Sequence, residues 1–359
     1  MSARLPTLYL GSMTFGWNQA SSFVDAGIAA AMIKRFAKWP APQVRIDTAR
    51  IYSGGDAEPI VREAIAAAGD GMSASCLIGS KAHPSQPGGL SADGMRRQLD
   101  ESLKALGVDH LEEFYLHQPD PQADLLESLR FADELVRAGT VNRIGLSNYH
   151  ASEVSRAFEL CETHGLAKPT VVQGLYNPLN RLVEADLLPL LREQRCSFVA
   201  YNPLAAGLLT GRHTAPDGEV AAGRFKDNPN YLPRFYTPAN FAALATIRTA
   251  CEAAGISLVD ATYRWLLSHS ALTPDDGLLL GASSLDQLES NMKACEAAGG
   301  DQATPLPPEV VDAIDSAWSG AGAAELRDGA FPYWRSYSKD MPGRETLPPG
   351  ASYDAAKKK

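Results

Sequence analysis

Short apolar runs and amphipathic stretches take turns along most of the chain. Val44–Asp47, Cys76–Ser80, Glu113–His117, Arg143–Ser147, Thr170–Gly174, Ser197–Tyr201 and Gly277–Leu280 are rich in Val, Ile, Leu, Phe or Tyr and read as strands. Between them, Glu58–Ala68, Ser91–Leu106, Asp124–Ala138, Ala151–His164, Val183–Gln194, Asn240–Ala254, Leu258–Leu267 and Leu285–Cys295 carry apolar residues at spacings of three and four and read as helices. In Ser91–Leu106, for example, Met95, Leu99, Leu103 and Leu106 share one face. Strand and helix in regular alternation imply a parallel sheet with crossover helices.

That pattern fits a doubly wound sheet, or a (β/α)8 TIM barrel with one faint strand. A dinucleotide fold would carry Gly-x-Gly-x-x-Gly after its first strand. The nearest match, Gly320–Glu325, follows a helix near the end of the chain. The expected fold is therefore the barrel, as a single domain over residues 1–359, with the faint eighth strand placed at Met292–Glu296. Two segments break the rhythm. Residues 1–16 read as a short N-terminal hairpin before the barrel. Thr210–Pro238, rich in Gly, Pro and Asn, reads as a long loop after the sixth strand, hanging over the C-terminal mouth where barrel active sites lie. Residues 320–359 form a tail.

Composition narrows the function. With 45% hydrophobic and 21% charged residues over 359 positions, the chain is neither disordered, collagenous nor coiled coil. A net charge of −9 argues against nucleic acid as a partner. The five cysteines, Cys76, Cys161, Cys196, Cys251 and Cys295, are scattered singly. They imply reduced thiols and a cytoplasmic setting, not a disulfide framework or a zinc site. No apolar run approaches the ~18 residues of a membrane span, and the start lacks a signal-peptide core.

In a barrel, chemistry comes from the C-terminal ends of strands. Those ends offer Asp47, with Tyr52 five residues on, then Lys81 and His117. Each alone has an ordinary structural reading: a helix cap, a packing ring, a core histidine. Together they make sense as proton chemistry. Phenol, with a reference pKa near ~10, is a poor acid at neutral pH, and an adjacent ammonium favours the phenolate. A carboxylate holds the lysine, and the histidine donates to a carbonyl oxygen or shares the tyrosine's proton. Such a set protonates or deprotonates a carbonyl or alcohol oxygen while hydride moves at carbon.

The segments RIDTARIYSGGDAE, IGSKAHP, FYLHQPD, IGLSNY, VVQGLYNPLNR, AYNPLAAGLLTGR and LGASSLDQLESN resemble the aldo-keto reductases. YNPLAAGLLTGR, GRF and the late FPYWR are most similar to the aflatoxin-aldehyde/succinic-semialdehyde reductase branch. The resemblance runs from about Leu8 to Arg335. It implies an NADPH-dependent reductase of aldehydes and ketones, with Asp47, Tyr52, Lys81 and His117 as the catalytic tetrad and Tyr52 as proton donor. It places the nicotinamide carboxamide on Ser147, Asn148 and Gln173, and the ring on Tyr201. The pyrophosphate would be wrapped by the run Asn202, Pro203, Leu204, Gly207, Leu209 and Gly211. The adenosine end would fall on Gly281, Ala282, Ser283, Ser284, Gln287 and Asn291. Many family members hold the 2′-phosphate with Lys and Arg where this chain has Gly281 and Gln287. The branch it resembles uses an arginine of the long loop, which matches Arg224, with Arg212 as second candidate. On the substrate side the resemblance implies Trp17, His117, Tyr231, Arg234 and Arg335, the arginines offering a fork to carboxylate-bearing aldehydes such as succinic semialdehyde or 2-carboxybenzaldehyde.

The partners expected are thus a small carbonyl substrate and, since this branch tends to dimerise, a second copy of the chain. Two other readings remain on the sequence. The potassium-channel β-subunits share barrel and tetrad but act as redox-sensing binding subunits. A barrel aldolase or hydrolase would use Lys81 as a Schiff-base amine.

Overall fold

A computed structural model of the chain describes residues 4–216, 218, 224–226, 228, 231–299 and 303–334. Eight parallel strands, in chain order, close into a barrel: β1 (Thr7–Gly11), β2 (Val44–Asp47), β3 (Cys76–Ala82), β4 (Leu111–Leu116), β5 (Val141–Ser147), β6 (Val171–Leu175), β7 (Ser197–Tyr201) and β8 (Gly277–Gly281). The alternation of strand and helix is that of a (β/α)8 TIM barrel.

The first strand corrects the hairpin expected over residues 1–16. β1 lies parallel to β2 on one side and to β8 on the other, with Gly11 opposite both Asp47 and Gly281. Leu8, Tyr9 and Leu10 are all buried, so the run shows no alternation of polar and apolar positions. The strand read as first is therefore β2, and the long loop follows the seventh strand. Met292–Glu296, expected as the eighth strand, lies inside the helix Leu285–Ala298, whose buried positions Leu288, Asn291, Met292 and Cys295 repeat at helical spacing. The helix expected over Val183–Gln194 is divided: a tight turn at Leu182–Glu184 precedes a helix over Leu187–Glu193 that begins where Asp186 caps it. The loop expected over Thr210–Pro238 holds a short helix at Leu232–Phe235.

Local chemistry sets where the outer helices begin. Asp25, Ser91, Ser257 and Ser284 each accept a backbone N–H from the first turn of the helix they precede, a cap worth ~1 kcal/mol. Inside the barrel, Tyr9, Tyr115, Val171, Val199 and Leu279 pack on one another. Two strand glycines make room for the rings. A Cβ on Gly145 would stand 2.2 Å from the Tyr115 ring, and one on Gly277 would stand 2.6 Å from Tyr9. At the N-terminal end of the barrel, Tyr9 donates to buried Glu113 at 2.9 Å, and Arg45 and Arg143 each pair with that carboxylate at 3.1 Å. Among the described residues no single helix is long and apolar enough to cross a membrane.

Candidate active site

A cavity of about 1030 Å³ opens at the C-terminal ends of the strands. At its deep end the ends of β2, β3 and β4 bring Asp47, Tyr52, Lys81 and His117 together. Tyr52 begins a tight turn in which Ser53 and Gly54 adopt left-handed backbone (φ 53° and 68°). The turn is tied down where the Ser53 hydroxyl donates to the Phe15 carbonyl at 2.5 Å and Arg50 pairs with buried Glu58. Lys81 is fully buried and does not reach the cavity wall. Its Nζ donates to Asp47 Oδ1 at 2.6 Å and to the Thr48 carbonyl at 2.7 Å. The other Asp47 oxygen accepts from Gln173 Nε2 at 2.9 Å. Burial pulls the ammonium's pKa down while the Asp47 carboxylate pushes it up.

What that ammonium faces is aromatic. Its Nζ sits 5.1 Å from the centre of the Tyr52 ring and 5.6 Å from that of Tyr115. The Tyr52 and His117 rings meet edge to face, 5.8 Å apart, and His83 stands 5.1 Å behind His117. The cavity therefore meets a phenol and an imidazole, with a positive charge held behind the phenol. An amine enclosed and bonded this way does not present itself to a carbonyl carbon, so the geometry does not serve the Schiff-base reading.

Next to the tetrad, Asn148 holds left-handed backbone (φ 61°) at the end of β5. Its Nδ2 donates to the His117 carbonyl at 2.8 Å and to Ser147 Oγ at 3.1 Å, and its Oδ1 accepts from the Tyr201 hydroxyl at 2.7 Å. Ser147, Gln173 and Tyr201 line the same wall. Gln173 departs from the expectation in that its amide is engaged with Asp47. Beyond Tyr201 the chain strings together residues of positive φ: Asn202 (54°), Ala205 (48°), Ala206 (58°) and Gly207 (112°). Left-handed backbone of this kind can cradle anions, although here the Ala205 and Gly207 N–H groups already donate to the Asn202 and Leu204 carbonyls. Asn202, Pro203, Leu204 and Gly207 line the cavity. Leu209 is instead packed in the core, and Gly211 is not on the wall.

The far end is built by β8 and the loop after β1. Gly281, Ala282, Ser283, Ser284, Gln287 and Asn291 all line it. Thr14 donates to the Ala282 carbonyl at 2.5 Å, and the Ser21 hydroxyl bonds Ser283 Oγ at 2.5 Å and accepts from Gln287 Nε2 at 3.2 Å. Arg224 crosses the opening. Its Nη1 donates to Asn202 Oδ1 at 3.2 Å, and its guanidinium lies 5.8 Å from the Trp17 ring and 5.9 Å from the Tyr231 ring. Arg212 is also on the wall. Arg234 is buried between Tyr231, at 5.6 Å, and Phe331, at 4.6 Å. Arg335 lies outside the described residues.

The family model for the aldo/keto reductase family matches residues 7–319, from β1 through the helix Pro308–Ser319. The chain belongs to the aldo/keto reductase family. This aldo/keto reductase is 38% identical to aflatoxin B1 aldehyde reductase member 2 of Mus musculus over 325 residues, covering 88% of the chain and 85% of that protein. It is likewise 38% identical to aldo-keto reductase family 7 member A3 of Homo sapiens over 329 residues, covering 89% and 95%. Aldo-keto reductase pigE of Monascus ruber is 33% identical over 307 residues, covering 80% and 85%. The chain is thus an oxidoreductase of a family that works on small carbonyl compounds with nicotinamide cofactors.

Several wall residues of this aldo/keto reductase escape a reading of strand ends. His83 stands two residues after Lys81, just past the end of β3, and extending a period of two would have found it. Val259 and Tyr263 stand one turn apart on the helix Leu258–Ser268 and share a face toward the cavity. Ser21 and Asn228 come from loops and carry no sequence signal.

Proposed function

We propose that this aldo/keto reductase reduces aldehydes and ketones to alcohols with NADPH, Tyr52 delivering the proton. The observation that carries the reading is Tyr52 on the cavity wall in front of a fully buried Lys81–Asp47 pair. The wall also fits a dinucleotide. It offers a run of left-handed backbone for phosphates and an arginine with a single hydrogen bond among the described residues. Its polar side chains at the far end suit a ribose and base.

When bound, the reduced nicotinamide supplies hydride to the carbonyl carbon. Everything else falls to the chain. Tyr52 donates its phenolic proton to the carbonyl oxygen. The Lys81 charge stabilises the phenolate left behind, and Asp47, fixed by Gln173, keeps that charge in place. His117 donates to the same oxygen and aligns it. Asn148 and Ser147 would hold the carboxamide, and Tyr201, tied by its hydroxyl to Asn148, would offer the nicotinamide ring a flat wall. Arg224 takes the 2′-phosphate, which makes NADPH the preferred cofactor. Trp17, Tyr231 and Arg234 bound the substrate end, and Arg234 with Arg335 favours aldehydes that carry a carboxylate, such as succinic semialdehyde or 2-carboxybenzaldehyde.

The reading is tested by titrating the apo protein with NADPH and following tryptophan fluorescence. Trp17 is on the cavity wall, so quenching at micromolar NADPH is expected. Consumption of NADPH on adding 2-carboxybenzaldehyde should follow over many turnovers. A protein that neither binds NADPH nor turns over would refute the proposal.

A further inference from the structure

Tyr263 is a wall residue whose chemistry the reaction above leaves unused. It sits on the helix Leu258–Ser268, its side chain is fully buried, and its hydroxyl has no hydrogen-bond partner among the described residues. A buried hydroxyl left unmade is costly, and folded proteins keep one where a ligand or a functional contact completes it. The hydroxyl's electrostatic neighbours are the Arg224 guanidinium and the Cys295 thiol. Arg224 in turn reaches Asn202 Oδ1 and stands with Nη2 3.8 Å from where a Cβ of Gly281 would be. Tyr263, Arg224, Asn202 and Gly281 all line the same cavity. Gly281 leaves the space between Arg224 and β8 unfilled, and Asn291 holds the Gly281 carbonyl from behind at 3.3 Å.

We infer that Tyr263 is a cofactor-positioning residue, its hydroxyl donating to a phosphoryl oxygen that Arg224 pairs with. A phenol suits that place. Burial keeps its pKa well above the ordinary value, so it stays a neutral donor. A neutral donor adds grip without a second charge that the apo protein would have to bury. The inference rests on the dinucleotide reading above and extends it to a residue outside the loop and strand ends that the resemblance names. Because the reading above gives Arg224 the 2′-phosphate, that group is the expected partner, and the pyrophosphate is the alternative outcome of the test.

Tyr263→Phe separates these, because it keeps the ring and removes only the hydroxyl. Dissociation constants for NADPH and NADH would be measured by calorimetry on parent and variant, with melting temperatures of both apo proteins. A hydrogen bond to a charged group predicts a roughly ten- to hundred-fold weakening. Weakening confined to NADPH assigns the 2′-phosphate, and equal weakening of both cofactors assigns the pyrophosphate. The apo melting temperature should stay level or rise, since an unpartnered hydroxyl is removed. Unchanged affinity for both cofactors, or a lowered apo melting temperature, would overturn the inference. A parent protein that binds neither cofactor would instead refute the dinucleotide reading itself.

Discussion

Lys81 and Asp47 offer a quantitative test of the account. The two charges meet at 2.6 Å, with the lysine side chain at 0% and the aspartate side chain at 4% exposure. Removing one member of such a pair strands the other, which typically costs ~3–5 kcal/mol. Lys81→Met leaves the Asp47 carboxylate with Gln173 as its remaining side-chain donor, so its cost should lie near the lower end, about 3 kcal/mol. Asp47→Asn leaves a buried ammonium with neutral acceptors alone, the Thr48 carbonyl and the amide oxygen, and should cost at least as much. The double variant buries no charge from this pair. Its loss should therefore fall short of the sum of the two singles by ~2 kcal/mol or more, within the range measured for contacting residues. Stability would be read from urea unfolding followed by circular dichroism. Turnover should drop in all three variants by ~10²-fold or more, because Lys81→Met and the double variant remove the charge behind the Tyr52 ring and Asp47→Asn removes the carboxylate that holds it there. Additive stability losses, or single losses below ~1 kcal/mol, would show that the pair is not buried and coupled as described.

Three further outcomes follow from other parts of the fold. Gly145→Ala places a methyl 2.2 Å from the Tyr115 ring, so it should lower the melting temperature by an amount matching ~1–3 kcal/mol of overpacking or more; a neutral effect would mean the barrel interior is looser than drawn. His150 caps the helix Ala151–His164 through an unprotonated Nδ1 and stacks on Tyr333, and burial holds its pKa below the usual histidine value despite Asp186. Its contribution to stability is therefore full above pH ~6.5 and is lost as pH falls from there through the folded value, which an NMR titration of the His150 ring checks; a midpoint above ~6.5 would contradict it. Arg234→Gln should raise KM for succinic semialdehyde while leaving that for an uncharged aldehyde of similar length nearly unchanged, the signature of binding shared by ground and transition states; equal changes for both would make Arg234 a packing residue held by Tyr231 and Phe331.

Much of this was legible in the chain because a barrel repeats one unit, and seven of its strands announce themselves between amphipathic helices. β1 did not, for a physical reason. β2 and β8 pair with its edges, while one face packs inside the barrel through Tyr9 and the other packs outward through Leu8 and Leu10, so the run carries no period, and Gly11 looks like a turn when read alone. The false strand at Met292–Glu296 arose from the need for an eighth strand, although Leu288, Met292 and Cys295 already marked a helical face. The tetrad was readable because its members stand at strand ends, where spacing along the chain translates directly into position around the mouth. Contacts across the barrel were not. Gln173 bonding to Asp47 joins β6 to β2, and Ser21 meeting Ser283 joins the first loop to the last strand. No local pattern encodes either pair. Tyr263 was hidden for the same reason: only packing shows that its hydroxyl is buried, without a partner among the described residues, on the cavity that Arg224 also lines.

The central claim is that Tyr52 gives the proton at a site that binds NADPH, and Tyr52→Phe tests it most directly. Cofactor affinity and steady-state reduction of 2-carboxybenzaldehyde would be measured on parent and variant under the same conditions. The ring and its contact with His117 remain in the variant, so NADPH affinity should stay within about two-fold of the parent. Turnover should fall by at least ~10²–10⁴-fold, the span of general acid catalysis. Near-parental turnover in the variant would contradict the account.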